Sequence, residues 1–275
     1  MQREKKISAN ETNTKKRFKL ISTYLEKNVC KDNKFICPNK TKCRKSHQGI
    51  FGKAQFHHIG KKYDLKMNDK ELRIVIVGQE FGCEDNFITL EGNYKGKMEN
   101  GEELEYKGRN PHMRGTTNVL RLLFGIGLGT DHESEYLTFE NGKKHHFFDA
   151  FSLINYLLCS AIGNDKSMRG KSNSIMRNNC QIHFKNIINI LEPTILIVQS
   201  KGYWKWIENS FVNIKSISKK LPLYIAEING KNVYIASFSH PSCPNKYNWG
   251  NDDHTEYLLN TVKPTVNCIL KKLGL

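Results

Sequence analysis

Polar side chains follow three apolar segments of the chain, and their types could bind a ligand or take part in catalysis. Gln79 and Glu80 follow the apolar run 72–77, Asn155 lies near the end of the run 146–156, and His240 follows the run 233–238. Together they offer a carboxylate, two amides and an imidazole. Each also has a structural interpretation, as a βα turn, an amide that caps local backbone and a loop histidine with satisfied hydrogen bonds.

The elements that must position these residues are short apolar strands that alternate with helices. The runs 72–77, 146–156, 194–198 and 233–238 predict four buried strands, and amphipathic helices are expected between them. This order predicts an α/β fold, a three-layer αβα sandwich around a mostly parallel four-stranded sheet. Because ligands bind at the carboxyl ends of such strands, the three polar groups are expected at one edge.

The remaining segments give a coarse outline. Residues 1–17 form a charged arm that is expected to fray, and residues 18–29 predict a helix. A further helix is expected directly after Thr116 and Thr117, either of which can cap its N-terminus. Asn229-Gly230 predicts a hairpin turn, and Pro264 should kink or split a closing helix over 252–273. We divide the chain into an N-terminal arm and helix (1–30) and a single domain (31–275).

The charge of the chain favours a polyanionic partner. The 275 residues include 43 Lys and Arg against 27 Asp and Glu, for a formal net charge of +16. Nucleic acid is the simplest such partner, and a solubilising lysine-rich surface is the alternative. No apolar run approaches the roughly 20 residues of a membrane helix, and no secretory signal is evident. A cytoplasmic, monomeric protein without a membrane partner is expected.

Eight cysteines are the other chemical signal. In a cytoplasmic chain they are not expected to form disulfides. They are core thiols, metal ligands or a mixture of both.

Several short motifs in order resemble the uracil-DNA glycosylase superfamily, particularly its iron–sulfur branch. Gly78-Gln79-Glu80-Phe81-Gly82, followed by Glu84-Asp85, resembles the first motif, G-E-x-P-G and an E-D pair. Asn155-Tyr156-Leu157-Leu158-Cys159 matches the N-x-x-x-C element. The third element of the family is a further cysteine followed by L-x-P before a hydrophobic strand, and Cys180, Leu191-Glu192-Pro193 and the strand 194–198 match it. His240-Pro241-Ser242 matches the fourth, H-P-S.

The resemblance implies a monofunctional DNA glycosylase that acts on a flipped-out pyrimidine. Asn155 would read the base edge, and His240 would stabilise charge that develops on the base oxygen. Glu80 would position or activate water, with Asp85 or Glu84 as substitutes. Extrusion of the base costs a few kcal/mol. A basic surface would hold flanking phosphates, and Arg114, Ser242 and Lys246 are the candidate DNA contacts.

The resemblance also implies a [4Fe–4S] cluster. Cys37, Cys43, Cys159 and Cys180 occupy the places of the four ligands, and zinc is the alternative metal. The first pair is spaced more widely than the usual C-x-x-C, so Cys30 could replace one member. Four unligated core thiols remain a further interpretation.

Departures from the family pattern concern the base pocket. Gln79, Phe81, Gly82, His112 and Asn155 are the expected substrate-binding residues. His112 stands where the family has a stacking aromatic residue. Gly82 replaces a tyrosine that bars 5-substituted pyrimidines in the cluster-free enzymes. The resemblance therefore implies uracil or a 5-modified pyrimidine as the substrate, such as a phage hypermodified cytosine, by analogy with superfamily members in anti-phage defence.

Two other functions remain open. A non-catalytic relative would keep the fold and the basic surface, although the survival of Glu80, Asn155 and His240 favours an enzyme. A different α/β enzyme such as a nucleotide hydrolase should carry a G-x-x-x-x-G-K-[ST] phosphate loop. The sequence contains no such loop.

Overall fold

The computed structural model of the chain describes residues 5–32, 34–47, 49–52, 56–80, 88–162 and 170–275. Within these residues the α-helices are α1 (Glu11–Asn28), α2 (Lys40–Lys45), α3 (Leu90–Glu102), α4 (Pro111–Leu123), α5 (Ser174–Leu191), α6 (Trp204–Glu208) and α7 (Lys263–Leu273). The strands are β1 (Ile7–Ala9), β2 (Cys30–Lys31), β3 (Lys34–Phe35), β4 (Ile50–Gly52), β5 (His58–Ile59), β6 (Leu65–Met67), β7 (Lys70–Glu71), β8 (Ile74–Gly78), β9 (Tyr136–Thr138), β10 (Lys144–His146), β11 (Phe151–Asn155), β12 (Ser160–Ile162), β13 (Ile195–Val198), β14 (Val212–Ser216), β15 (Leu223–Ile228) and β16 (Lys231–Ser237).

A mixed sheet forms the centre of the described chain, with seven strands in the order β14, β15, β16, β13, β8, β11, β5. The inner strands β16, β13, β8 and β11 run parallel to one another. The outer strands β14, β15 and β5 pair antiparallel with their neighbours. The fold is therefore mixed α/β, and the expectation of a four-stranded sheet was wrong in the number of strands.

The extra strands have local causes. Asn229 and Gly230 both have positive φ angles, 50° and 76°, as a tight hairpin turn requires. This turn folds β15 back onto β16 and brings β14 with it. At the other edge, residues 58–59 belong to a segment without clear sequence periodicity, yet they pair with β11.

Hydrophobic clusters cover both faces of the sheet. Along β8, Val75 and Val77 belong to one cluster, whereas Ile74 and Ile76 belong to the other. Buried residues of α1, α5 and α6 pack in the first cluster, and those of α4 and α7 pack in the second. A parallel strand that is covered on both faces requires this continuous apolar run.

The N-terminal segment is part of the fold from β1 onwards. β1 pairs with β6, and α1 begins at Glu11 after the N-cap Asn10. Arg17 of α1 bonds to Asp64 at 3.0 Å and to Glu192 at 3.1 Å. The expectation that residues up to 17 fray was therefore wrong for this part, because these ion pairs fix α1 to the domain. The division at residue 30 stays a prediction.

Two helix boundaries bear on the predictions. α4 begins at Pro111, earlier than expected, because the side chain of Asn110 caps it by accepting a bond from the backbone N–H of Met113 at 3.0 Å. At the C-terminus, a π-helical turn over Leu258–Val262 precedes α7, and Pro264 lies in the first turn of α7. Helical residues continue through Pro264 without a break, so the expected split at this proline was wrong, and the expected kink stays a prediction.

In the part of the chain that the structure describes, no helix has the length and apolar character needed to cross a bilayer.

Candidate active site

The ends of the inner strands meet at one edge of the sheet. Gly78 at the end of β8 lies in register with Asn155 at the end of β11. Val198 of β13 pairs with Ser237 of β16. The backbone N–H of Tyr156 donates to the carbonyl of Gly78 at 3.0 Å and extends the ladder past the strand end. Residues that follow these strands therefore face a common space.

A cleft of about 400 Å³ opens at this edge. Of the residues predicted for the site, it is lined by Gln79, Glu80, His112, Asn155, His240 and Ser242. An acid, two amides and two imidazoles thus share one cleft, and its volume is in the range of small-molecule sites. Phe81, Gly82 and Asp85, together with the substitute Glu84, lie outside the described residues.

Two neutral histidines face each other in this cleft. His112 lies in the first turn of α4, and its ring centroid is 5.6 Å from that of His240. Burial is the main cause that lowers the pKa of His112 to about 3, and electrostatic interactions with His240 and with the ammonium of Lys97 add to the shift. Burial also lowers the pKa of His240. Both rings are therefore uncharged at neutral pH.

The hydrogen bonds of His240 define its tautomer. The backbone N–H of Ser242 donates to Nδ1 of His240 at 3.2 Å, and the hydroxyl of Ser242 lies 2.8 Å from the same nitrogen. Because Nδ1 accepts a bond from a backbone amide, the ring proton of the neutral form resides on Nε2. His240 therefore presents an N–H donor at Nε2.

Asn155 lies against the end of β8 because residue 78 is a glycine. A Cβ at Gly78 would collide with Oδ1 of Asn155 and would lie 3.3 Å from Nε2 of His112. The absence of a side chain at position 78 lets the amide and the imidazole approach the strand end. The position of Asn155 therefore depends on Gly78.

Glu80 lines the cleft, but hydrogen bonds fix its carboxylate. Oε1 accepts bonds from the hydroxyl of Tyr203 at 3.0 Å and from the backbone N–H of Ser172 at 3.2 Å. Oε2 lies 3.4 Å from the backbone N–H of Ala161, which is a long contact. Glu80 thus holds Ser172 and Tyr203 to the strand end. Gln79 is held similarly, since its amide donates to the hydroxyl of Ser200.

The three candidate DNA contacts differ in exposure and in their hydrogen bonds to the rest of the protein. Nε of Arg114 donates to the carbonyl of Gly250 at 2.7 Å, and its NH1 group donates to that of Lys107 at 3.3 Å. Arg114 therefore ties α4 to its surroundings. Ser242 and Lys246 are exposed, and the ammonium of Lys246 lies 5.4 Å from the ring centre of Tyr247.

The four predicted cysteine ligands meet in a second, smaller cavity. Cys37, Cys43, Cys159 and Cys180 line it, whereas Cys30 lines a different cavity. A hydrogen bond between the thiols of Cys159 and Cys180 raises the pKa of Cys159, and burial adds to this rise. The same hydrogen bond lowers the pKa of Cys180 against the opposing effect of burial. Burial raises the pKa of both Cys37 and Cys43. Segments far apart in the sequence thus bring four thiols together.

The donor set suits a thiolate-bound metal group, although the side chains are not arranged for a particular one. The free space between them is about 10 Å³, which is room for a single ion or water. Among the described residues, no three of these thiols lie within 4.8 Å of one another. Thiolates around one tetrahedral zinc ion lie about 3.8 Å apart when each Zn–S bond is about 2.3 Å. Zinc would require the thiols to approach, and a cluster would require them to spread.

A third group of possible ligands is a buried ion-pair network. His132, Glu135 and His146 place ligand atoms within 4.8 Å of one another. However, Arg109 bonds to Oε2 of Glu135 at 2.6 Å, and both side chains are buried. Nδ1 of His146 accepts a bond from the backbone N–H of Phe148, so its Nε2–H donates to Glu135 at 2.9 Å. Glu135 is thus bonded to Arg109 and His146, while Nε2 of His132 bonds to the carbonyl of Gly101 at 2.7 Å, so these contacts stabilise the segments around α4.

Sequence reasoning missed the far wall of the cleft. Phe56, Asn93, Lys97 and Leu153 line it together with the predicted residues. Asn93 and Lys97 belong to α3, in a stretch that the sequence identified only as a long polar connection. A long connection after a site-forming strand was the available signal.

No family model matches the sequence, and no curated protein shows significant similarity to it.

Proposed function

We propose that the protein is a monofunctional DNA glycosylase of the uracil-DNA glycosylase fold. It would hydrolyse the N-glycosidic bond of a flipped-out pyrimidine, either uracil or a 5-modified pyrimidine, and leave an abasic site. The observation that carries this proposal is that His112, Asn155 and His240 line one cleft at the carboxyl edge of parallel strands.

The hydrogen bonds of the cleft suit departure of an anionic base. Cleavage of the N-glycosidic bond leaves negative charge on the base and positive charge on the sugar. Nε2–H of neutral His240 would donate to a base carbonyl oxygen as its charge develops, and the amide of Asn155 would bond to the base edge. His112 would lie against the base face. A neutral donor suits this role because it need not release a proton.

Glu80 is the acid that we propose for positioning the attacking water. The two shorter hydrogen bonds of Glu80 end on Oε1, so Oε2 is the oxygen better able to hold a water. A carboxylate there would also stabilise the developing charge of the sugar. Asp85 and Glu84 are the alternatives.

The four cysteines would hold a [4Fe–4S] cluster, with zinc as the alternative. Thiolate ligation would supply a structural link between residues 37–43, the segment after β11 and α5. No step of the reaction involves this group. A cluster predicts a brown protein with iron and a broad absorbance in the blue after anaerobic purification, whereas zinc predicts a colourless one.

DNA is the proposed partner, because the net charge of +16 favours binding to a polyanion. The test is base release from DNAs that carry uracil, 5-substituted uracils or glucosylated 5-hydroxymethylcytosine. We expect free base and abasic sites from at least one substrate. His240→Ala and Asn155→Ala should each lower the rate by orders of magnitude while DNA binding remains. His254→Ala is the matched control, since that histidine is exposed.

Unchanged rates in both variants, on a substrate that the wild-type protein cleaves, would contradict the proposed roles. Binding of DNA without release of any base would instead support the alternative, a non-catalytic nucleic-acid-binding relative of the same fold.

A further inference from the structure

Lys97 is a cation that lines the cleft, and its ammonium has no counter-ion among the residues that the structure describes. Its side chain is half-buried and lines the same space as Asn155 and His240. Across the described residues, no carboxylate or carbonyl pairs with its ammonium. Burial lowers the pKa of Lys97, because the cleft solvates the ammonium less well than water does. An anion bound beside it would restore part of this lost stabilisation.

The order of the strands locates Lys97 within the cleft. His240 follows β16 and Asn155 follows β11, with β13 and β8 between them. α3 packs on β5, which lies beyond β11 at the sheet edge. The charge of Lys97 lowers the pKa of His112 and also that of His58 in β5, whereas burial accounts for the shift of His240. Because α3 packs on β5, beyond β11, Lys97 enters the cleft from the side of Asn155.

Asn93 adds a second donor to this end of the cleft. One N–H of its amide donates to the carbonyl of Phe56 at 2.6 Å, which fixes the side chain. The amide carries a second N–H, and Asn93 lines the cleft together with Lys97. The ammonium of Lys97 and the amide of Asn93 can therefore both donate hydrogen bonds to a carboxylate at this end of the cleft.

Building on the proposed function, we propose that Lys97 and Asn93 form a subsite for an anionic substituent, such as a 5-carboxyl group, on the flipped pyrimidine. If the base is held between His240 and Asn155, a substituent that projects past Asn155 would point toward Lys97 and Asn93. The subsite would thus select a negatively charged modified base over a neutral one. The other source of an anionic oxygen is the phosphate of the flipped nucleotide, which every substrate carries.

The test compares DNAs that carry 5-carboxylcytosine, 5-formylcytosine or uracil at one position. We expect wild-type protein to release the carboxylated base faster than the formylated one. Lys97→Met should slow release of the carboxylated base about 10- to 100-fold, the range of a charge-assisted hydrogen bond, and should leave the neutral bases nearly unchanged. Lys97→Arg should retain most of the preference.

Lys95→Met is the matched control on the same helix, because the side chain of Lys95 is 80% exposed and outside the cleft. It should change no rate. An equal loss on all three DNAs in Lys97→Met would assign Lys97 to a phosphate and overturn the subsite. Absence of any preference for the carboxylated base in wild-type protein would also overturn it.

Binding of free bases separates this inference from the proposed function. Calorimetry should show that uracil-5-carboxylate binds wild-type protein at least 10-fold more tightly than it binds Lys97→Met, whereas thymine should not distinguish the two proteins. If no DNA releases a base but this difference is seen, the glycosylase proposal fails and the subsite stands. If bases are released and the two proteins bind the carboxylate equally, the subsite is wrong.

Discussion

The ion pair between Arg109 and Glu135 should be the most sensitive polar contact around the cleft. Arg109 is 1% exposed and Glu135 is fully buried, and their charged groups are 2.6 Å apart. Arg109 directly precedes Asn110, the N-cap residue of α4. Arg109 also donates to the hydroxyl of Thr117 at 2.8 Å and to the carbonyl of Gly101 at 2.9 Å. Arg109→Met keeps an unbranched apolar stem but removes every one of these donors.

The cost of this change follows from what remains buried. Burial would raise the pKa of Glu135, but hydrogen bonds from His146 and Arg109 lower it overall, so the carboxylate is ionised. Its Oε1 already lacks a hydrogen-bond partner among the described residues. Arg109→Met would leave this charge with His146 alone, and the loss of one member of a buried pair costs about 3–5 kcal/mol. We expect a loss of that size in the free energy of unfolding.

Urea denaturation of Arg109→Met, Glu135→Gln and the double variant measures this loss. The double variant should be more stable than the sum of the single changes implies, by roughly 1–3 kcal/mol, since the two residues are in contact. Asp131→Asn is the control: it breaks the pair with Arg121, but the side chain of Asp131 is 57% exposed, so the loss should stay within about 1 kcal/mol. A loss below about 1 kcal/mol in Arg109→Met, or strict additivity, would refute this reasoning.

Three further outcomes are expected. Gly78→Ala should displace the amide of Asn155 and lower base release at least tenfold while the protein still folds, measured by single-turnover kinetics beside circular dichroism. Burial lowers the pKa of His57 and His58 to about 3; because the unfolded chain takes up these protons near pH 6.5, the melting temperature should fall as the pH drops from 6.5 toward 3, and a flat profile would contradict the burial. Cys159→Ser should lower the bound metal per chain, measured by elemental analysis, and an unchanged content would exclude this thiol as a ligand.

The sequence was most informative where chemistry follows a strand. Gln79, Asn155 and His240 were expected at one edge because carboxyl ends of parallel strands meet there, and they line one cleft. The hairpin signal at 229–230 was also readable, because the turn depends only on these two residues. In each case the physical requirement lies within a few residues of the signal.

Long-range contacts account for what the sequence did not reveal. The hydrogen-bond partners of the Glu80 carboxylate are Ala161, Ser172 and Tyr203, which no local sequence pattern near Glu80 predicts. Lys97 lies on a helix whose apolar residues are few, so its face toward the cleft could not be inferred. The pairing of β5 with β11 involves two residues of each strand, too few to leave a periodic signal.

The segment after β11 connects the two cavities of the molecule. Asn155 lines the cleft and Cys159 lines the cysteine cavity, with Tyr156, Leu157 and Leu158 between them, all buried. A buried stretch this short has little freedom to absorb a shift at one end. Oxidative damage at the sulfur atoms would therefore be transmitted to the amide of Asn155. If this amide reads the base as proposed, base release should be lost under peroxide before the global structure is lost.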